Sequence, residues 1–125
     1  MIQPNKQAIN GRRGEDAALS HLAAKGYKIL NTNYRSRFGE IDIVAKDGDT
    51  VVFVEVKSLI SNTIKAPSAQ VDSKKQIKLA KTALQYISKN DEDYEYNYRF
   101  DVIEVLNNKI NHIESAFDMP EGIED

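Results

Sequence analysis

Three charged residues interrupt two neighbouring apolar runs in the middle of the chain. Asp42 lies within residues 39–45, and Glu55 and Lys57 directly follow residues 51–54. Burying charged groups among apolar side chains is costly unless something compensates for the lost hydration. A divalent cation held by oxygen ligands would compensate for two carboxylates. We therefore interpret these residues as a candidate metal site.

The segment between the two runs, residues 46–50, carries a tight-turn signal, so the runs are predicted to pair as a β-hairpin. Side chains alternate between faces along a strand, which places Glu55 and Lys57 on one face, about 7 Å apart. A two-residue loop would put Asp42 opposite Glu55, and a four-residue loop would put it opposite Phe53. A loop of three or five residues would instead divide the charges between the two faces.

Both faces of this hairpin are apolar, as expected for a central hairpin that is covered above and below. One face is predicted to carry Ile41, Ile43, Val52, Val54 and Val56, and the other Val44, Val51 and Phe53. Charged residues at strand ends are usually solvated or form weak ion pairs, which is the alternative here. The apolar surroundings favour a functional site.

A third carboxylate is predicted to reach the hairpin from the first helix, residues 5–25. Glu15 lies four residues before Leu19 and seven before Leu22, so it belongs to the buried stripe of this helix. An ion pair between Glu15 and Arg12, or a hydrogen bond from a buried backbone donor, is an equally good interpretation of the spacing.

The remaining elements follow from periodicity and turn residues. Residues 27–34 are predicted to form a strand, residues 35–38 a turn and residues 59–70 a loop. A second helix is predicted to begin near Ser73, with Ser73 and Gln76 as a capping box. Its predicted apolar stripe consists of Ile77, Ala80, Leu84 and Ile87. The alternating aromatic residues Tyr94, Tyr96, Tyr98 and Phe100 begin a strand, where sheet packing is favoured over base stacking. A short last strand is predicted at residues 109–113.

The order of a helical Glu, a Gly-Glu-Ile-Asp strand and a Glu-x-Lys strand resembles the PD-(D/E)xK nuclease superfamily. More narrowly, the chain resembles the YraN family of small predicted endonucleases, which are similar to archaeal Holliday-junction resolvases. The resemblance covers roughly residues 8–106, and Ile41 stands where the superfamily name has proline. The matching segments are residues 11–15, 26–30 with Asn33 and Arg35, 39–42, 52–57, 71–75 and 99–102.

This resemblance implies one three-layer α/β/α domain with a mixed central β-sheet, restriction-endonuclease-like, in the order α-β-β-β-α-β-β. The domain is expected to span residues 1–125, with a core of about residues 5–115 and an acidic tail at residues 116–125.

The resemblance also implies a set of roles for the charged residues. Asp42 and Glu55 would bind Mg²⁺ or Mn²⁺, with the backbone carbonyl of Val56 as a further ligand. Lys57 would position or help to deprotonate the attacking water and offset charge in the transition state. Glu15 would complete the site, directly or through a metal-bound water.

The charge is distributed unevenly along the chain. Residues 1–89 contain 15 basic and 8 acidic residues, whereas residues 90–125 contain 2 and 11. Such asymmetry indicates polyanion binding by the basic part. The residues expected to contact DNA phosphates are Arg12, Arg35, Arg37, Lys74 and Lys75. Solvated basic faces are the alternative for each of these residues taken singly.

Composition excludes several other chemistries. The chain has no cysteine, which excludes disulfides, zinc–thiolate sites and thiol catalysis and fits a reducing compartment. No apolar run approaches the ~20 residues of a membrane span, so a cytoplasmic protein without a membrane partner is expected. The protein is expected to be a monomer or a homodimer. His21 and His112 have no partners at ligand spacing in the sequence.

Three functions are compatible with these observations. The first is a metal-dependent endonuclease that hydrolyses phosphodiester bonds in DNA, with branched or damaged DNA as substrates. The second is a non-catalytic nucleic-acid-binding module with a nuclease-like fold that needs a partner. The third is a purely structural protein. Because all four site positions carry the residues that the chemistry needs, the sequence favours the first.

Overall fold

The computed structural model describes residues 6–59, 71–91, 95–107 and 109–123, with side chains from residue 14 onward. Its helices and strands follow the order α-β-β-β-α-β-β that the sequence predicts. They are α1 (Lys6–Ala24), β1 (Lys28–Ser36), β2 (Gly39–Asp47), β3 (Thr50–Leu59), α2 (Ser73–Asn90), β4 (Asn97–Leu106) and β5 (Lys109–Phe117). The loop predicted at residues 59–70 lies outside the described residues, except for Leu59, which ends β3.

The five strands form one mixed sheet in the order β1-β2-β3-β4-β5. Only β3 and β4 run parallel; the other three neighbouring pairs in this sheet are antiparallel. A parallel pair requires a crossover that returns the chain to the same end of the sheet, and α2 lies within that crossover. The fold is therefore α/β, with a mixed central sheet as predicted.

The hairpin of β2 and β3 has the two-residue loop that the sequence offers as one of its alternatives. Asp47 pairs with Thr50, which leaves Gly48 and Asp49 as the loop. Gly48 has a φ of +62°, in the left-handed region that glycine adopts at little cost. This loop length sets the register of the whole hairpin.

The pairing between β2 and β3 extends to Ile43 and Val54 and ends there. Asp42 and Glu55 are the next residues beyond that last pair. Ile41 packs with the apolar cluster under α2, whereas Ile43 packs with the cluster under α1. The prediction that Ile41 and Ile43 share a face is therefore wrong. Beyond this last pair with β3, residues 39–41 of β2 are paired only with β1.

Each helix covers its own apolar cluster on the sheet. The α1 cluster includes Ala18, Leu22, Ile43, Ala45, Val52, Val54, Ile103 and Val105. The α2 cluster includes Val44, Val51, Phe53, Leu79, Ala83, Tyr86, Phe100 and Val102. Residues of β3 alternate between the two clusters, so its centre is buried on both faces, as predicted for a central strand.

The second helix differs in detail from its prediction. Its N-cap is Asp72, whose carboxylate accepts a hydrogen bond of 2.8 Å from the backbone N–H of Lys75, and the predicted capping box at Ser73 is wrong. Ile77, predicted to lie in the apolar stripe, is 38% exposed. The residues that α2 buries are Leu79, Ala80, Thr82, Ala83, Tyr86 and Ile87. The stripe is therefore rotated relative to the predicted one.

The last strand is longer than predicted. β5 continues to Phe117, into the segment expected to be a tail, and the Phe117 ring stacks on Phe100 with centroids 4.7 Å apart. Tyr96 and Tyr98 pack against the α2 cluster, which confirms sheet packing for the alternating aromatics, whereas Tyr94 lies outside the described residues. In the part of the chain that the structure describes, neither helix is long and apolar enough to cross a membrane.

Candidate functional site

Asp42 lies just beyond the last paired residues of the central hairpin. Its Oδ2 atom accepts a hydrogen bond of 2.8 Å from the backbone N–H of Val56. The pKa of Asp42 is raised to about 7, mainly by burial and then by the negative charge of Glu55, while the Val56 hydrogen bond acts in the opposite direction. The Asp42 carboxylate is therefore held next to β3 in surroundings that oppose its negative charge.

Glu55 is a buried carboxylate that is compensated by a cation from the second helix. It is 7% exposed, and its Oε1 atom lies 2.5 Å from the Nζ atom of Lys75. Burial disfavours the ammonium form of Lys75, but the hydrogen bond and the charge of Glu55 outweigh it, so the pKa of Lys75 is raised. The structure thus pairs Lys75, which the sequence assigned to DNA phosphates, with a proposed metal ligand.

Glu15 approaches the same region from α1. The helix passes so close to β3 that a Cβ atom added at Gly14 would lie 1.8 Å from the Oγ atom of Ser58. Burial raises the pKa of Glu15, a hydrogen bond with the side chain of Asn33 opposes this, and Glu40 and Glu55 contribute further repulsion. The sequence also allowed an ion pair between Glu15 and Arg12, but the Arg12 side chain lies outside the described residues.

Lys57 is half-buried on β3, two residues after Glu55. It is the register partner of Glu104 on the parallel strand β4. Glu104 is 4% exposed; its Oε1 atom accepts a hydrogen bond of 2.9 Å from Asn111, and its Oε2 atom has no hydrogen-bond partner. Glu104 is not among the site residues predicted from the sequence. Like Glu55, Glu104 is a charged residue within an apolar run, here residues 100–106, and this pattern could have indicated it from the sequence.

The residues predicted to contact DNA lie on α1, on the β1–β2 hairpin and on α2, and the side chain of the α1 residue, Arg12, lies outside the described part of the structure. Arg37 and Lys74 are exposed, on the β1–β2 turn and at the start of α2. Arg35 is also exposed, and its Nε atom lies 3.3 Å from a carboxylate oxygen of Glu40. Such an exposed ion pair has little energetic value, so Arg35 can exchange Glu40 for a phosphate at small cost.

The carboxylate oxygens of Asp42 and Glu55 are the kind of ligand that a hard divalent cation prefers. Mg²⁺ is usually held by one or two carboxylates together with waters and substrate phosphates. Asp42 and Glu55 supply such a pair, and a cation would relieve the repulsion that raises the pKa of Asp42. Across residues 14–59, 71–91, 95–107 and 109–123, however, no three His, Cys, Asp or Glu side chains are grouped closely enough to hold an ion. A cation at Asp42 and Glu55 would also compete with the Lys75 ammonium for the negative charge of Glu55.

A second buried polar cluster on the α1 side has a structural explanation. Asp101 is 1% exposed and accepts hydrogen bonds from Arg99 Nε and from the backbone N–H of Ser115, each 3.0 Å long. Its Oδ2 atom lies 2.7 Å from His112 Nε2, and His112 Nδ1 lies 3.1 Å from His21 Nε2. These hydrogen bonds outweigh burial and lower the pKa of Asp101. The two histidines, which have no partners by sequence spacing, therefore connect α1 to β5 and β5 to β4.

Fold and site together define a small α/β protein with one mixed five-stranded sheet and a pair of carboxylates at the end of its central hairpin. Residues 14–105 match the family model described as Uncharacterised protein family UPF0102. The chain is 48% identical over 111 residues to a UPF0102 protein of Persephonella marina, covering 89% of this chain and 95% of that protein. It is 50% identical over 107 residues to a UPF0102 protein of Thermodesulfovibrio yellowstonii, covering 86% and 94%. The protein belongs to the UPF0102 family, which confirms the family-level resemblance seen in the sequence.

Proposed function

We propose that this protein is a metal-dependent endonuclease of the PD-(D/E)xK superfamily that hydrolyses phosphodiester bonds in DNA. The observation that carries the proposal is the pair of Asp42 and Glu55 beyond the last hairpin pair, with the pKa of Asp42 raised to about 7. An uncompensated carboxylate of this kind is costly in a structural protein and useful in a metal site.

The residues of the chain have distinct roles in this proposal. Asp42 and Glu55 hold Mg²⁺ or Mn²⁺, with the Val56 carbonyl as an additional oxygen donor and Glu15 acting directly or through a water. When bound, the ion stabilises the negative charge that develops on the phosphoryl oxygens. Lys57 positions the attacking water or helps to deprotonate it, and offsets charge in the transition state.

A second candidate function is favoured by the ion pair between Lys75 and Glu55. This pair occupies a proposed metal ligand with a cation that the chain itself supplies. If the pair persists when nucleic acid is bound, the protein is a nucleic-acid-binding module that needs a partner for activity. The exposed Arg35, Arg37 and Lys74 would then bind phosphates, and the protein would not cleave the nucleic acid by itself.

A cleavage assay separates the two functions. Wild type, Asp42→Ala and Lys57→Ala are incubated with junction, flap, single-stranded and linear DNA, and with RNA, in Mg²⁺ and in Mn²⁺. Lys89→Ala, which changes an exposed lysine in the last turn of α2, is the control. The nuclease proposal requires metal-dependent cleavage that Asp42→Ala abolishes and Lys89→Ala retains, and the role assigned to Lys57 requires that Lys57→Ala abolishes it as well.

The other outcomes are equally informative. Tight DNA binding by wild type without cleavage in either metal supports the binding module. Equal cleavage by wild type and Lys57→Ala removes the role assigned to Lys57 but leaves a nuclease. Absence of both binding and cleavage at low salt, where phosphate contacts are strongest, favours a structural protein.

A further inference from the structure

One aromatic ring lies outside the apolar core. Ser36 pairs with Gly39, so Arg37 and Phe38 form the two-residue tip of the β1–β2 hairpin. Phe38 is half-buried. Every other Phe or Tyr ring in the described ranges belongs to one of the two apolar clusters or packs against it, whereas Phe38 does neither. Core packing therefore does not account for the ring at this position.

Cations surround this ring. The guanidinium carbon of Arg37 lies 4.8 Å from the Phe38 ring centroid, and the Nζ atom of Lys81 lies 5.3 Å from it. Arg37 is exposed and Lys81 is partly exposed, so both side chains can move. The exposed Lys78 is also close to the tip, because a Cβ atom added at Gly39, the next residue in the chain, would lie 3.6 Å from the Lys78 Cβ atom. The hairpin tip thus presents an apolar ring within a positive patch.

The backbone of the tip is fixed to α2 by hydrogen bonds. The N–H of Phe38 donates to Ser36 Oγ over 3.0 Å, and Ser36 Oγ lies 3.0 Å from Thr82 Oγ1. Thr82 is fully buried and donates to the carbonyl of Lys78 over 2.9 Å. Because these hydrogen bonds already order the tip, little of its conformational entropy is lost when a ligand binds there.

We propose that Phe38 is a stacking platform for an unpaired nucleic-acid base, with Arg37 and Lys81 contacting the flanking phosphates. An exposed cation–π contact is weaker than the stacking of a base on an aromatic ring, so the base displaces one cation, which then turns to a phosphate. Bases inside an intact duplex offer no free face. The ligand is therefore a single strand or an unpaired segment.

This site rests on the proposed function in one respect, namely that the substrate is nucleic acid. From Phe38 the chain runs along β2 to Asp42, four residues away, which is about 13 Å of extended strand. The platform would hold an unpaired base a few nucleotides from the candidate metal site. It would select substrates that contain unpaired nucleotides.

The test uses tryptophan fluorescence, because the chain contains no tryptophan. Phe38→Trp introduces a single reporter on the hairpin tip. Tyr96→Trp is the matched control, since the Tyr96 ring also has a lysine over it, with Lys46 Nζ 4.2 Å from the centroid, but packs against the α2 cluster. Both variants are titrated at low salt in EDTA, and separately in Ca²⁺, with a single strand of about 16 nucleotides and with its blunt duplex.

Saturable quenching of Trp fluorescence by the single strand in Phe38→Trp, absent in Tyr96→Trp and weaker with duplex, is the expected result. Single-strand binding by anisotropy without quenching in Phe38→Trp overturns the stacking platform and leaves the proposed nuclease intact. Equal quenching by duplex overturns the requirement for an unpaired base. Absence of binding to either nucleic acid overturns both proposals.

A second pair of variants keeps the test decisive if Phe38→Trp does not fold. Phe38→Leu retains an apolar side chain without a ring, and Phe38→Tyr retains the ring. Phe38→Leu should bind the single strand about 10-fold more weakly, in the range reported for loss of one base–aromatic stack, while Phe38→Tyr should bind as wild type does. Equal affinity of wild type and Phe38→Leu would overturn the inference.

Discussion

The carboxylate of Asp42 accepts a hydrogen bond of 2.8 Å from the backbone N–H of Val56, immediately beyond the last paired residues of the central hairpin. A side chain of β2 thus bonds the backbone of β3 where strand pairing has ended. This bond holds the Asp42 carboxylate near Glu55 although burial and repulsion oppose its charge. The consequences for stability and for metal binding can be measured.

Stability without metal should depend on pH through Asp42. Its pKa is raised from 3.8 to about 7 in the folded state, so between these values the folded chain binds more protons than the unfolded chain. The free energy of unfolding therefore falls as pH rises from about 4 to 7. Asp42→Asn removes this dependence, and its stabilising effect relative to wild type should be about 3 kcal/mol larger at pH 8 than at pH 4.5.

Urea unfolding in EDTA at several pH values measures this difference. Asp118→Asn, which changes an exposed carboxylate after β5, is the control and should show no such trend. A stabilisation by Asp42→Asn that is the same at pH 4.5 and pH 8 would show that Asp42 has an ordinary pKa.

Metal affinity should require Asp42 and should rise with pH. Because the Asp42 carboxyl group must lose its proton to bind a cation, Mg²⁺ or Mn²⁺ affinity should increase about 10-fold from pH 6 to pH 8. Asp42→Ala should weaken binding sharply at both pH values. Isothermal titration calorimetry measures both effects, and equal affinity in wild type and Asp42→Ala would remove the metal site.

Removal of the Lys75 ammonium should strengthen cation binding. In the metal-free protein, Lys75 Nζ lies 2.5 Å from Glu55 Oε1, so its positive charge competes with a bound cation for the Glu55 carboxylate. Lys75→Met keeps the aliphatic chain without the charge and should raise Mg²⁺ affinity. It should also lower metal-free stability by about 1–3 kcal/mol, because Glu55 loses its partner. Lys74→Met is the matched control on the same turn, and weaker Mg²⁺ binding by Lys75→Met would make Lys75 part of the binding site instead.

The contact between α1 and β3 can be tested with a double-mutant cycle. A Cβ atom at Gly14 would lie 1.8 Å from Ser58 Oγ, so Gly14→Ala should destabilise the protein by about 1–3 kcal/mol through overpacking, despite the higher helix propensity of alanine. Ser58→Gly should restore much of this loss in the double variant. Thermal and urea unfolding of both single variants and the double variant measure the coupling. Purely additive effects would mean that the two residues are not in contact.

Much of the fold follows from local sequence patterns. The apolar runs in β2 and β3 indicated strands buried on both faces, and the turn residues 46–50 allowed the two-residue loop that fixes their register. The stripe of α2 was less predictable. Ile77 has the spacing of a buried residue, but the helix is rotated so that Leu79, Ala83 and Tyr86 face the sheet. The spacing of apolar residues predicts where a helix lies more reliably than it predicts which side of that helix packs against the sheet.

The sequence by itself determined the family, the order of the elements and the identity of Glu15, Asp42, Glu55 and Lys57 as charged residues in or beside apolar segments. Charged residues of this kind are conspicuous because their burial is costly. Only the tertiary structure determined which charges compensate one another. It pairs Glu55 with Lys75 from α2 and brings the His112 ring of β5 within 2.7 Å of the buried Asp101 carboxylate. It also separates Phe38 from both apolar clusters. These relationships join residues far apart in the chain, and their distances depend on how the helices pack on the sheet, which local patterns do not encode.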